Sequence, residues 1–308
     1  MQTTNRVLMV RPISFSFNEQ TADNNPFQQK TESKEQALEI NKKAILEFDE
    51  YEKLLKENGI KVDILQDTPE PDTPDSIFPN NCFSTHLEEK KEGKERTLVI
   101  YPMFAPNRRE EKKKLLKLLN EMKFDKIIDL SDMEKENKFL EGTGSLILDR
   151  QHHIAFACKS PRTNEDVLKI WCEKMGYEYF LFESEDEKGI PIYHTNVMMH
   201  IGTRFAIVCL NSIKNKLQRE KLIEILKKNG KEIVEISLEQ MSHYAGNMLE
   251  LINDKNEKLL IMSTTAKKSL SPEQIKILEQ DVKIISPEIP VIEKTGGGSA
   301  RCMIAEIY

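Results

Sequence analysis

Apolar residues recur at three- and four-residue spacing between Ser33 and Gly59. Ala37, Ile40, Ala44, Phe48, Tyr51 and Leu55 fall on one helical face, and Gly59 is placed to stop that helix. An apolar strand, IKVDIL, follows directly. The same order recurs: REEKKKLLKLLNEM leads into FDKIIDL, TNEDVLKIWCEKMG into YEYFLF, KLQREKLIEILKKNG into KEIVEIS, and SPEQIKILEQD into VKIIS. Thr163 and Asp166 are spaced as a capping box, and Ser271 with Pro272 reads as an N-cap followed by an N1 proline. Each helix is also preceded by an apolar run: RVLMV, TLVIY, HIAFAC, FAIVCL and KLLIM. Five strand–loop–helix–strand units at a period of about 55 residues predict an α/β protein. Five units favour a closed pseudo-fivefold α/β propeller, and no Pro/Gly/Ser-rich linker divides residues 1–308, which read as a single domain. An open, doubly wound sheet is the alternative, but GTGS at 142–145 lacks the G-x-G-x-x-G fingerprint of that fold.

Between these units the chain is polar. LEEKKEGKER (87–96) and FESEDEKG (182–189) predict solvated loop tips. FNEQTADNNPFQQKTES (17–33) is long for a loop in a compact domain; it reads equally as a functional lid or as surface disorder. A net charge of -6 disfavours a nucleic-acid partner, and no apolar run reaches membrane-spanning length. The N-terminus lacks signal-peptide features, and five cysteines without C-x-x-C pairing suggest neither a disulfide framework nor a zinc site. The expectation is a cytoplasmic protein without metal or cofactor, acting on a small molecule. Homo-oligomerisation stays open.

One atypical segment follows each helix–strand pair: PDSIFPNNCF (74–83), FLEGTGSLIL (139–148), YHTNVMMHIG (193–202), YAGNMLELI (244–252) and GGGSARCMI (296–304). Asn81, Glu141, His194, Asn247 and Cys302 stand 53 to 60 residues apart. In a ring, equivalent positions lie equally far from the axis, so these five side chains are predicted to converge. Cys302 then suits a nucleophile with His194 as its proton carrier, and Glu141 would hold the imidazole or a cationic substrate group. Gly296, Gly297 and Gly298 remove every Cβ before the thiol and allow close approach to a ligand. A lone cysteine packs more often as a small buried apolar group; here the matching positions of His194 and Glu141 outweigh that. Cys82, Cys158, Cys172 and Cys209 read as core, and His200, six residues after His194, is a weaker candidate.

PDSIFPNN, LEGTG, HTN, GNMLEL and GGGSARCM together resemble the guanidino-group-modifying enzymes, the pentein or amidinotransferase superfamily. The resemblance spans residues 7–308, and the motif order and the opening MVRPISFSFN look most like the citrulline-utilisation branch, CtlX. It implies a five-bladed α/β propeller, a cysteine that attacks a guanidine or ureido carbon, and a histidine that handles protons. Cys302, His194 and Glu141 fall on the corresponding motifs. Asp75 resembles the position that holds substrate nitrogens, and Asn80 joins the site by motif alone. Arg108 is expected to pair with the substrate carboxylate through a bidentate fork, with Arg11 and Arg204 as competitors, and Asn247 to line the site or cap a turn.

Two departures bear on the substrate. Arginine-acting relatives carry acidic residues where this chain has Asn81 and Asn196. Carboxylates suit a guanidinium; amides, which both donate and accept, suit a neutral ureido group. The expectation is a citrulline hydrolase giving ornithine, CO2 and ammonia. A neutral substrate brings no positive charge to activate a thiol, so a protonated His194 or the nearby Arg301 is expected to supply it. The alternatives are an arginine deiminase-like hydrolase, an amidinotransferase, and a non-catalytic pentein binding protein.

Overall fold

A computed structural model of the chain describes all residues except 1, 31–32 and 91–92. Its framework is five three-stranded mixed sheets, each built on one central apolar strand. The first sheet holds β1 (Arg6–Arg11) and β2 (Lys61–Gln66), joined by α1 (Lys34–Glu57). The second holds β3 (Phe83–Lys90), β4 (Gly93–Ile100) and β5 (Lys126–Asp129), with α2 (Pro106–Glu121) before β5. The short helix α3 (Gly142–Ser145) opens the third unit, β6 (Ile147–Asp149), β7 (Ile154–Cys158), α4 (Glu165–Met175) and β8 (Glu178–Phe182). The fourth runs β9 (Met199–Ile201), β10 (Phe205–Val208), α5 (Lys216–Lys228) and β11 (Glu232–Glu235), followed by α6 (Leu238–Ser242). The fifth has β12 (Leu249–Ile252), β13 (Lys258–Ile261), α7 (Thr264–Ser269), α8 (Pro272–Leu278), β14 (Lys283–Ile285) and α9 (Pro290–Gly296). Finally β15 (Ala305–Glu306) returns to the first sheet and pairs antiparallel with β1, Val7 opposite Glu306.

The helix forces the last strand of each unit parallel to the central one, because a parallel pair needs a crossover, whereas in the second to fifth units a short turn makes the first strand antiparallel. Central strands are buried on both faces and so read as continuous apolar runs. In α1, Ala44, Phe48, Tyr51 and Leu55 are the buried stripe, Ser33 caps the start through the Gln36 amide, and Gly59 lies past the end at φ +81. Ser271 caps α8 in a full capping box with Gln274. The first strands of neighbouring sheets abut, β15 against β3, β6 against β9 and β9 against β12, and form an inner ring. The five sheets fit the expected pseudo-fivefold α/β architecture.

Three local expectations are corrected. The cap of α4 is Asn164, whose side chain accepts from the Asp166 and Val167 amides, so Thr163 and Asp166 make no capping box. The charged run 87–96 is strand where described, the outer end of the β3–β4 hairpin, because paired strands carry it beyond the core. The inner strands went unpredicted: they are two to four residues long in four of the units and lie within polar segments. Among the described residues no helix is long and apolar enough to cross a membrane.

Candidate active site

Each atypical segment delivers its polar residue just before an inner strand. Asn81 precedes β3, Glu141 precedes β6, His194 precedes β9, Asn247 precedes β12 and Cys302 precedes β15. All five are buried. The sulfur of Cys302 receives two amide groups, from Nδ2 of Asn247 at 3.2 Å and from Nδ2 of Asn196 at 3.4 Å. The backbone N–H of Arg301 donates to Oδ1 of Asn247 at 3.1 Å, and since a backbone N–H only donates, it fixes which way that amide points. Two side-chain N–H groups thus converge on one sulfur.

His194 Nε2 lies 2.7 Å from Glu141 Oε2. An ionised carboxylate only accepts, so Nε2 carries the proton and Nδ1 keeps its lone pair. Glu141 also accepts from the Phe104 amide at 2.9 Å and pairs with Arg162 at 3.4 Å. Burial alone would raise the Glu141 carboxyl, but Arg162 and the His194 hydrogen bond hold it well below the usual carboxylate range. Burial pushes His194 down to about 4, against the pull of Glu141, so the imidazole is neutral at neutral pH. Gly144 of α3 faces both His194 and Asn81: a Cβ there would come 2.3 Å from Asn81 Nδ2 and 2.9 Å from His194 Nδ1.

Four buried polar atoms of the expected site residues lack a partner: Asp75 Oδ1, Asn80 Oδ1, Asn196 Oδ1 and Asn81 Nδ2. An unsatisfied buried group costs about 1–3 kcal/mol, so four of them point to a ligand that completes them. They offer three acceptors and one donor. The rest of each side chain is tied down. Asn18 Nδ2 donates to Asp75 Oδ2 at 2.7 Å, Asn80 meets Thr143 Oγ1 at 3.4 Å, and Arg108 Nη1 donates to Asn81 Oδ1 at 2.9 Å. Burial raises the Asp75 carboxyl, with Arg108 and Asn18 acting in opposition.

The structure thus brings Cys302, Asn196 and Asn247 together at the sulfur, and links His194 to Glu141 and Asn81 to Arg108. It departs from expectation for two arginines. Arg108 spends its donors on Glu111, Asn81 and the Phe78 carbonyl and is not a free carboxylate clamp. Arg301 pairs with Glu306 at 2.7 Å and the Ile304 carbonyl at 3.0 Å, a structural commitment and not a contact to the thiol. Arg11 pairs with Asp49 and Arg204 with Glu232, both half-exposed. His200 is buried, and its imidazole is pushed down to about 3 by burial and then by the Arg301 charge. The glycine run also has a different reason. Only Gly297 has positive φ, +66, and what the run admits is the Phe78 ring against Gly296 and Gly298, and Asn25 against Gly297.

One residue escaped the sequence reading. Arg162 is 2% exposed at its side chain, pairs with Glu141 and stacks over Tyr193 at 4.8 Å. Its segment, SPRTN, reads as a plain turn and cap. The polar loop 17–33, one of whose two expected roles is a lid, straps the site through its described residues: Asn18 donates to Asp75, the side-chain Oδ1 of Asn24 accepts from both Nε and Nη2 of Arg162, and Asn25 and Gln28 donate to the Gly296 backbone carbonyl. Among the described residues no cluster of His, Cys, Asp or Glu is suited to a metal ion.

A family model described as N,N dimethylarginine dimethylhydrolase, eukaryotic, matches residues 11–308. Among curated protein sequences none matches. Several solved structures share the fold. The substrate-bound N-terminal domain of ArgZ, an arginine dihydrolase from the ornithine-ammonia cycle in cyanobacteria, aligns with a TM-score of 0.74 at 18% identity, over 97% of this chain and 96% of that one. Unliganded AgrE gives 0.73 at 17% identity over 97% of this chain, which spans only 38% of AgrE. The dimethylarginine hydrolase of Pseudomonas aeruginosa, complexed with citrulline, gives 0.65 at 14% identity over the full length of both chains.

Proposed function

The chain belongs to the N,N dimethylarginine dimethylhydrolase family, and from that premise we propose that it is a cysteine hydrolase of the citrulline ureido group, of the CtlX branch. The observation that carries this reading is the set of unpartnered polar atoms, above all Asn81 Nδ2. Arg108 can only donate, so it holds the carbonyl of Asn81 and leaves the NH2 without a partner, beside Gly144 and His194. A ureido oxygen accepts that donor; a guanidinium has only N–H groups and leaves it unpaired. Asp75, Asn80 and Asn196 supply acceptors for the ligand's nitrogens.

The chemistry follows in order. Neutral His194 takes the Cys302 proton on Nδ1, and the imidazolium is held by Glu141. The thiolate, cradled by Asn196 and Asn247, attacks the ureido carbon. The bond from that carbon to the ornithine nitrogen breaks, His194 returns its proton to the departing amine, and a carbamoyl thioester remains on Cys302. Water, deprotonated by His194, then attacks the thioester, releases carbamate and restores the thiolate; carbamate decays to CO2 and ammonia. Arg162, where the side-chain Oδ1 of Asn24 sits across two guanidinium nitrogens, offers a bidentate seat for the substrate carboxylate once that amide moves aside. The five units work as one catalytic domain, and five unpaired cysteines suit the cytoplasm.

The reading is tested by incubating the purified protein separately with L-citrulline and L-arginine and following ornithine, citrulline and ammonia by mass spectrometry. Ornithine from citrulline, abolished by Cys302→Ser, is expected. A second reading, an arginine deiminase-like hydrolase, is favoured by the carboxylates of Asp75 and Glu141 in the site. It predicts citrulline accumulating from arginine with citrulline itself untouched.

A further inference from the structure

The direction of the Asn81 amide is set from behind. Its Oδ1 accepts from Arg108 Nη1 at 2.9 Å. Arg108 is in turn gripped by Glu111, three residues along the same helix, through a fork: Nε to Oε1 at 2.9 Å and Nη2 to Oε2 at 3.1 Å. The Phe78 carbonyl takes a further Nη2 bond at 3.1 Å, and the Cys82 thiol donates to Glu111 Oε2 at 3.0 Å. Arg108 and Glu111 are 3% and 2% exposed at their side chains, so this arrangement is not a solvent-screened surface pair. A buried fork of this kind has one geometry, and an arginine offers Asn81 nothing but N–H.

We propose that Glu111 and Arg108 form a positioning relay that locks Asn81 with its NH2 toward the reacting carbon, and that this lock selects a ureido over a guanidinium ligand. The selectivity half rests on the citrulline reading above; the relay itself does not. Without the lock the amide turns freely. It then presents its carbonyl as readily as its NH2, and that carbonyl accepts from a guanidinium. A site whose buried donor finds no acceptor discriminates strongly against that ligand, so loss of the lock is read as a changed preference and not as general weakening.

Two measurements test the proposal. In the inert Cys302→Ser protein, calorimetric Kd values for L-citrulline and L-arginine are compared with Glu111→Gln added, in the Asn81 background and in the Asn81→Asp background. A carboxylate has two equivalent oxygens and no orientation to lose. Glu111→Gln is therefore expected to shift the citrulline-to-arginine preference toward arginine by about tenfold or more with Asn81, and to leave it nearly unchanged with Asn81→Asp. Equal weakening of both ligands in both backgrounds overturns the proposal. Arg108→Lys keeps the charge but not the fork; it is expected to shift the preference the same way and serves if Glu111→Gln does not fold. Separately, the Asn81 side-chain amide is followed by NMR in asparagine-labelled protein, its signal identified by loss in Asn81→Asp. A moved or doubled signal in Glu111→Gln supports the relay, and an unmoved one overturns it whatever the ligands do. Absence of ornithine from citrulline in the parent enzyme sinks the functional reading alone, since the NMR comparison still judges the relay.

Discussion

Glu141 decides which nitrogen of His194 carries the proton, and burial keeps the other nitrogen free to accept one. Because the imidazole titrates at about 4 and not near its ordinary value, its neutral form persists well into mild acid. The acid limb of kcat/KM is therefore expected near pH 4, with a plateau through pH 6. An inflection near pH 6.5 in initial rates on citrulline would show that the imidazole is not held as described. Glu141→Gln removes the charge that raises the His194 pKa and reduces its hydrogen bond to a neutral one, so the limb should move to still lower pH. The same variant withdraws support from the imidazolium, and kcat should fall about 100-fold or more. A fall in rate without a moved limb would assign Glu141 to substrate binding instead.

Short elements set how closely these groups approach. The helix α3 packs on the turns that carry Asn80–Asn81 and Thr195–Val197, Gly142 against the Asn80 carbonyl and Gly144 against the Asn81 and His194 side chains. Gly144→Ala places a methyl 2.3 Å from Asn81 Nδ2, so the amide or the imidazole must shift. An activity loss of about 100-fold is expected, since misplacement by an ångström is enough for that, alongside a modest drop in Tm; unchanged kcat/KM would refute the close approach. Elements of this kind explain what the sequence could and could not disclose. The long amphipathic α1 and the capped α8 were legible because many residues repeat one period. The strands β6, β9 and β15 were not, being only two or three residues long, too short for any period to show. Cys302, His194 and Glu141 stood out by equal spacing, whereas Arg162 sits in an ordinary turn and pairs across 21 residues. Arg108 was misread although its partner lies at i+3 on the same helix, a pairing the sequence does display.

At the scale of the whole molecule, the last residues close the ring, and they begin only three residues after the thiol. Strand β15 pairs with β1, the Thr85 hydroxyl holds the Glu306 carbonyl, and the Glu306 carboxylate bridges Arg301 to Arg150, which follows β6 of the third sheet. Burial alone would raise the Glu306 carboxyl, yet the two arginines hold it down to about 2. A carboxyl depressed in the folded state from an ordinary value of 4.5 contributes stability that is full above about pH 4.5 and is lost as pH falls toward 2. Removing one partner of a buried ion pair costs about 3–5 kcal/mol because the remaining charges are left uncompensated. Glu306→Gln should thus lower the urea midpoint strongly at neutral pH and flatten the loss of stability between pH 4.5 and 2. Urea unfolding at a series of pH values reads both effects. The fraction that stays folded should retain His194 with its acid limb near pH 4, because Glu306 bonds to Arg301 and Arg150 and not to His194 or Glu141. A limb that moved with Glu306→Gln would mean that ring closure and the reacting groups are electrostatically one unit.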